Sequence, residues 1–181
     1  MLSRLAAAAI VAATISLPQS AVSRTVPAEV KDALPNGQVV GTASVTFLFW
    51  SVFDAALWNA NGQFSWEKPF ALTLFYRTDF SASELVDSSI EEMDRLTDWS
   101  QQRLVSFRPK LQPCMRSVDE GDRITALSPA PDRVALYYNG TRTCELQEPG
   151  LRSAFFSIWL SANSKFPDAS RKLTGQRTGA D

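Results

Sequence analysis

The stretch QVVGTASVTFLFWSVFDAALW, residues 38–58, decides how this chain folds. In its first half, apolar or small residues such as Val39, Ala43 and Val45 alternate with polar ones. A period of two is typical of a β-strand with one buried face. In the second half both sets of alternate positions become apolar. The length of the stretch fits either two strands or one long bent strand.

Downstream of this stretch, the strand pattern changes to a helical one. Residues 59–62, with the sequence NANG, predict a turn, and residues 69–77 predict a further strand. Ser81 and Glu84 then have the spacing of a capping box, which marks a helix start. Apolar residues follow at helical spacing, namely Leu85, Val86, Ile90, Met93 and Leu96.

This helix is predicted to run to about Phe107, either continuous or broken near Thr97, and to end at Pro109 and Pro113. Asn139-Gly140 then favours a tight hairpin, because both central residues of a type I′ turn need a positive φ. Three short strands are predicted around it, over residues 122–128, 133–138 and 141–146, and two further helices begin at Pro149 and Pro167.

The order of these elements predicts the fold class. Strands, a helix, a three-strand meander and further helices follow one another without βαβ alternation, so we expect an α+β domain with a mainly antiparallel sheet. The domain is predicted to span residues 38–181. A polar segment over residues 24–37 leads into it, and residues 1–23 precede that segment.

Composition excludes several classes of function. Of the 181 residues 45% are apolar, which is typical of one globular domain with a substantial core. The 18 basic and 19 acidic side chains leave a net charge of -1 without a basic run, which argues against nucleic-acid binding. The chain contains no histidine, so triads with a histidine base and histidine-ligated metals are excluded. We predict no cofactor.

Residues 1–23 resemble an export signal. Arg4 precedes an apolar run over residues 5–17, and Pro18 ends it. Small residues at Ala21 and Ser23 favour cleavage after Ser23; the alternative is an uncleaved N-terminal helix. We therefore expect a periplasmic or secreted protein with no stable membrane span after cleavage, since no later segment is long and apolar enough.

Two cysteines, Cys114 and Cys144, lie 30 residues apart. In an oxidising compartment they favour a structural disulfide. The alternative is a redox pair, but it lacks the Cys-x-x-Cys spacing that such pairs use.

Several segments, taken in order, resemble the bacterial chalcone isomerase-like family. The resemblance implies an open-faced β-sandwich, in which helices cover one face of a large sheet and a ligand cleft lies between the layers. The segments cover nearly the whole chain after the signal: VTFLFWSVFDAAL at 45–57, PFAL at 69–72, YRTD at 76–79, SIEEM at 89–93, GDRIT at 121–125, YNG at 138–140 and FFSIWL at 155–160.

The same resemblance argues against chalcone isomerase activity. Plant members use an arginine at the start of the long strand, a threonine within it, a tyrosine, an asparagine and a late threonine-methionine pair. By resemblance, these positions fall on Asn36 to Gln38, Leu48, Ala82, Ser89 and Ile158-Trp159. We therefore assign no catalytic residues.

A fatty-acid-binding branch of the same fold holds a carboxylate with an arginine and a tyrosine above an apolar tunnel. The strand-start arginine is missing here too, so Arg77 or Arg123 would have to replace it. Arg77 is alternatively a structural partner of Asp79 or Asp54. Trp50 and Trp159, with Tyr76, are candidates for lining an apolar pocket; the alternative is ordinary core packing.

Carboxylates at Asp119, Glu120 and Asp122 lack the spacing of a known calcium loop, so we read them as a solvated turn and predict no metal site. The sequence as a whole favours an exported, non-catalytic protein that binds a small apolar or amphipathic ligand such as a fatty acid. The alternatives are a divergent isomerase or intramolecular lyase, and an interaction protein without a small-molecule ligand.

Overall fold

A computed structural model describes residues 25–47 and 50–176. The predicted signal at 1–23, and Leu48, lie outside these residues. Six strands form one sheet: β1 (Gln38–Phe47), β2 (Trp50–Asn59), β3 (Phe70–Tyr76), β4 (Arg123–Ala130), β5 (Arg133–Tyr138) and β6 (Thr141–Gln147). The helices are α1 (Ala28–Ala33), α2 (Ala82–Leu96), α3 (Gln101–Leu111), α4 (Leu151–Leu160) and α5 (Pro167–Leu173), with a 3₁₀ turn at Gln112–Cys114.

The sheet is an antiparallel meander with the order β1-β2-β3-β4-β5-β6. The stretch over residues 38–58 forms two strands, which pair along their length from Gln38 with Asn59 to Phe47 with Trp50. Every strand therefore pairs with its neighbour in the chain, and the predicted α+β class with an antiparallel sheet is confirmed.

Helices α2, α4 and α5 pack against one face of the sheet, and the main hydrophobic core lies between these helices and the strands. Helix α1 lies on the other face, where Val30 and Leu34 pack with Trp58 and Leu127 in a smaller cluster. We refer to these two faces as the core face and the α1 face. The sequence predicted no element in residues 24–37, because a helix of six residues is too short to show a helical period.

The two helices that follow β3 match the prediction at their start, but the second one ends later in the chain than predicted. Ser81 caps α2 as predicted: its hydroxyl accepts from the Glu84 amide at 3.2 Å, and the Glu84 carboxylate accepts from the Ser81 amide at 2.8 Å. The chain breaks at Thr97, but α3 continues through Pro109 to Leu111. Pro109 is tolerated because it leaves only the Val105 carbonyl without a helical donor, and Val105 is exposed.

A disulfide joins Cys114, at the end of the 3₁₀ turn, to Cys144 on β6, with a Cα–Cα distance of 5.2 Å. The predicted bridge is confirmed. Asn139 and Gly140 both have positive φ, 48° and 89°, and connect β5 to β6 as predicted.

Helix α5 approaches β1 closely at Gly41. A Cβ atom there would overlap the Lys172 and Leu173 carbonyl groups at the end of α5. The glycine therefore lets the last helix lie directly against the first strand.

Candidate functional site

A cavity of about 320 Å³ lies on the core face, between the sheet and helices α2 and α4. This volume lies within the range of small-molecule sites. Most of its lining is apolar: Val52, Phe53, Leu74, Tyr76, Phe80, Leu85, Ile158, Trp159 and Phe166. The arrangement can enclose an apolar group of modest size.

A second, smaller space of about 40 Å³ lies between the same layers. It shares Leu74, Leu85 and Ser89 with the larger cavity, and Tyr76 and Trp159 line both. Three apolar residues of β4 and β5 line this smaller space, namely Ile124, Ala126 and Leu136. The apolar lining therefore extends from the larger cavity towards β4 and β5.

Tyr76, the last residue of β3, supplies a polar group within this apolar lining. Its ring packs edge-to-face on Phe53 and Phe80, with centroid distances of 6.3 Å and 5.9 Å. Burial raises the pKa of the Tyr76 hydroxyl well above its usual range, so the hydroxyl keeps its proton. Among the described residues, every fully buried side-chain polar atom has a hydrogen-bond partner. The Tyr76 hydroxyl has no partner among these residues, so it is not fully enclosed. Because Tyr76 lines the cavity, a ligand atom there can accept a hydrogen bond from this hydroxyl.

The polar side of the cavity comes from α2 and from the segment before α5. Glu84, Ser88, Ser89 and Glu92 line it from the helix, and Lys165 lines it from the other side. The Ser89 hydroxyl donates to the Leu85 carbonyl at 2.7 Å, within its own helix.

Glu92 is buried, and two cations hold it. Its carboxylate accepts from Arg95 Nη2 at 2.6 Å and lies 2.9 Å from Lys165 Nζ. Burial opposes ionisation of Glu92, but the hydrogen bonds from Arg95 and Lys165 outweigh it and hold the pKa of the carboxyl below its usual value. Lys165 is in turn held by the Glu92 carboxylate, with Glu91 3.6 Å away.

Both arginines proposed from the sequence lie away from this cavity. Arg77 follows Tyr76 directly, so it projects from the opposite face of the sheet, where it pairs with Asp54. Arg123 lies on the same α1 face, because it is directly opposite Phe75 on β3, and it pairs with Glu29 of α1. The structure therefore brings Tyr76 and Trp159 together and places Arg77 and Arg123 on the other side of the sheet.

The tryptophans separate in the same way. Trp159, on α4, lines the cavity. Trp50 begins β2, where it is 78% exposed, and it is not among the lining residues. Trp58 is buried on the α1 face and donates to the Thr73 hydroxyl at 3.2 Å. Only part of the aromatic content therefore serves the cavity.

Sequence reasoning missed the polar side of the site. Ser88, Ser89 and Glu92 lie three, four and seven residues after Leu85. This helical spacing places all four residues along one side of α2. That spacing is visible in the sequence, but the apolar residues of the helix dominate its pattern. Lys165 lies in a segment with no regular period, so nothing in the sequence pairs it with Glu92.

A more open groove of about 620 Å³ lies near the start of α4, but its lining is mainly polar. The Arg103 guanidinium covers the Trp99 ring at 3.6 Å from its centroid, and it also donates to the Pro149 carbonyl. The Trp99 ring is therefore already covered by the chain itself, and the mainly polar groove suits an apolar ligand less well than the cavity on the core face.

Some positions that the resemblance equates with plant catalytic residues do lie at the cavity. Ser89, Ile158 and Trp159 all line it. The wall thus has small or apolar side chains where the plant enzymes carry an asparagine and a threonine-methionine pair.

Comparison with known proteins supports the fold. No protein-family model matches the chain, and a search of curated proteins finds no matching relative. Among solved structures, the crystal structure of a fatty-acid binding protein from Arabidopsis thaliana is similar, with a TM-score of 0.59 at 9% sequence identity. The similarity covers 77% of this chain and 87% of that one. The chain therefore has the fold of that protein, which is the chalcone isomerase-like fold.

Proposed function

We propose that this protein binds a small apolar or amphipathic molecule in the cavity between the sheet and α2 and α4, without converting it chemically. The observation that carries the proposal is a cavity of about 320 Å³ with apolar walls and a tyrosine hydroxyl open to it. Sites for small molecules commonly combine an apolar lining with few polar groups that orient the ligand. A fatty acid is one such molecule, and the name of the Arabidopsis protein supports that class.

The ionisable groups of the cavity support binding over catalysis. General acid-base catalysis needs a group that exchanges a proton near neutral pH. Glu92 is held ionised by Arg95 and Lys165, and burial keeps Tyr76 protonated. Neither group is therefore poised to accept and return a proton.

The N-terminal residues bear on where the protein binds its ligand. Residues 1–23 lie outside the described part of the chain, and their resemblance to an export signal supports binding in the periplasm or outside the cell. N-terminal sequencing of the protein from the extracytoplasmic fraction tests this inference, and a chain beginning near Arg24 is the expected result.

Native mass spectrometry of the gently purified protein tests the binding itself. We expect an added mass that disappears after delipidation and returns with an added amphiphile. Ser88→Trp, at the exposed rim, is expected to block the cavity, while Ser106→Trp on the exposed side of α3 serves as the control. Wild-type protein that carries no ligand and takes up none would contradict the proposal and favour the interaction-protein alternative.

A further inference from the structure

We infer that the cavity selects amphiphiles with an uncharged, hydrogen-bonding head group over the corresponding carboxylates. This inference rests on the proposed function and names the ligand class of the same site. It departs from the expectation that an arginine of this chain would hold a carboxylate, and it places ionised fatty acids below neutral amphiphiles of the same chain length within the proposed ligand class.

The charged groups of the cavity wall already have partners. Lys165 is the only cation that lines the cavity in the described part of the chain, and its Nζ lies 2.9 Å from the buried carboxylate of Glu92. The Glu84 carboxylate accepts from the amide and hydroxyl of Ser81 at 2.8 Å and 2.7 Å. The wall therefore presents two carboxylates and one ammonium group, and that ammonium is neutralised.

The other candidate cations cannot reach the cavity. Arg77 and Arg123 lie on the α1 face, and each pairs with a buried carboxylate there, Asp54 and Glu29 respectively. Arg95 holds Glu92 and also donates to the Asn163 carbonyl at 2.9 Å. Arg95 and Lys165 together balance the carboxylates of Glu92 and Glu91, so a carboxylate entering the cavity would find no unpaired cation to balance its own charge.

Uncharged hydrogen-bonding groups remain available. The Tyr76 hydroxyl opens into the apolar part of the cavity, and Ser88 lies exposed at its rim. A protonated hydroxyl donates readily to an alcohol, ester or amide oxygen. Transferring an ion from water into such a site without a matching charge costs far more than transferring an uncharged polar group that is hydrogen-bonded. The geometry therefore favours the neutral head.

Isothermal titration of the delipidated protein with decanol and decanoate, each below its micelle concentration, tests this inference. The two ligands share an alkyl chain and differ at the head, and a carboxylic acid is fully ionised at a pH of about 7.5. We expect decanol to bind at least about tenfold more tightly than decanoate.

A charge added at the rim provides the matched variant. Ser88→Lys adds a positive charge beside the cavity, and we expect it to reduce or reverse the preference for decanol. Ser106→Lys adds the same charge on α3, away from the cavity, and is expected to keep the wild-type preference. Both positions are exposed, so both variants should fold, and circular dichroism checks this.

The outcomes separate the inference from the proposed function. Equal or tighter binding of decanoate by the wild type, weakened in Lys165→Met, would overturn the inference and leave the proposed function standing. If neither ligand binds the delipidated wild type while the fold is intact, the proposed function fails, and the inference fails with it.

Discussion

Arg77 and Asp54 form an ion pair on the face of the sheet opposite the cavity. Arg77 Nε and Nη2 both donate to Asp54 Oδ2, at 2.7 Å and 2.5 Å. Ser44 donates to the other carboxylate oxygen at 2.5 Å. The Asp54 side chain is only 7% exposed, against 41% for Arg77, so the pair connects a buried carboxylate of β2 to the residue that follows β3. This arrangement gives Arg77 a structural role.

Replacing Arg77 with methionine should therefore reduce stability and leave ligand binding unchanged. Methionine keeps much of the aliphatic stem, but it leaves the buried Asp54 carboxylate without its cation. We expect the free energy of unfolding, measured by urea denaturation, to fall by about 1–3 kcal/mol. Arg142→Met is the matched control, because Arg142 pairs with the partly exposed Glu145, and its loss should cost below about 1 kcal/mol. Loss of ligand binding in Arg77→Met, at unchanged stability, would show that the residue serves the site instead.

A second buried carboxylate fixes α1 to the sheet. Glu29 accepts from Arg123 Nε at 3.2 Å and from the Thr125 hydroxyl at 2.8 Å, and its side chain is 1% exposed. Burial opposes its ionisation, but the hydrogen bonds from Arg123, the backbone and Thr125 outweigh burial and lower the pKa of the carboxyl below its usual value of 4.5.

This lowered pKa predicts how stability depends on pH. A group with a lower pKa in the folded state contributes stability above its unfolded pKa, and the contribution is lost as the pH falls through the folded pKa. We expect the wild type to lose stability below pH 4.5, the ordinary value for this carboxyl. Glu29→Gln should be less stable near neutral pH and should lose less on acidification. Parallel acid profiles for the two proteins, from denaturation at several pH values, would contradict this assignment.

Much of the fold follows from local sequence signals. The alternation over residues 38–58, the capping box at Ser81 and the positive-φ pair Asn139-Gly140 are all determined by neighbouring residues, and the structure contains each of them. Helix α1 was missed because tertiary contacts through Val30, rather than a visible period, stabilise it.

The site was less predictable because it depends on how distant elements meet. Tyr76 and Arg77 are neighbours at the end of the predicted strand over residues 69–77, so alternation alone places them on opposite faces. Which of those faces carries the cavity is decided by where α2 and α4 pack. The position of Arg123 depends on the β3–β4 register, and the pairing of Lys165 with Glu92 joins segments that are far apart in the chain.

Tyr76→Phe should weaken the binding of ligands with a polar head at nearly unchanged stability. The ring contacts with Phe53 and Phe80 remain, and the lost hydroxyl has no protein partner among the described residues. We expect decanol affinity to fall by a factor of about 2–10, which corresponds to one hydrogen bond.

Tyr138→Phe is the control for this prediction. Tyr138 donates to Asp122 Oδ2 at 2.8 Å and does not line the cavity, so its replacement should lower stability slightly and leave decanol binding unchanged. An equal loss of decanol affinity in both variants would remove Tyr76 from the ligand contact.

Removing the disulfide should destabilise the fold without altering the cavity directly. The bridge from Cys114 to Cys144 closes a loop of 30 residues. In the chain-entropy account, its loss costs about 3 kcal/mol. Urea denaturation of Cys114→Ala/Cys144→Ala tests the magnitude. Thiol titration of the denatured wild type should find no reactive sulfhydryl, and two free thiols per chain would contradict the bridge.

The strand order has a consequence for how the protein behaves among its own copies. A meander in which each strand pairs with its chain neighbours leaves two edges, here β1 and β6. Unprotected edges invite strands from other chains to add to the sheet and start aggregation. Beside the first edge, α5 packs on the core face of β1 at Gly41. At the other, β6 carries the charged side chains of Arg142 and Glu145 and is tied down by Cys144. The charged side chains and the disulfide of β6 therefore oppose the addition of a strand from another chain at that edge.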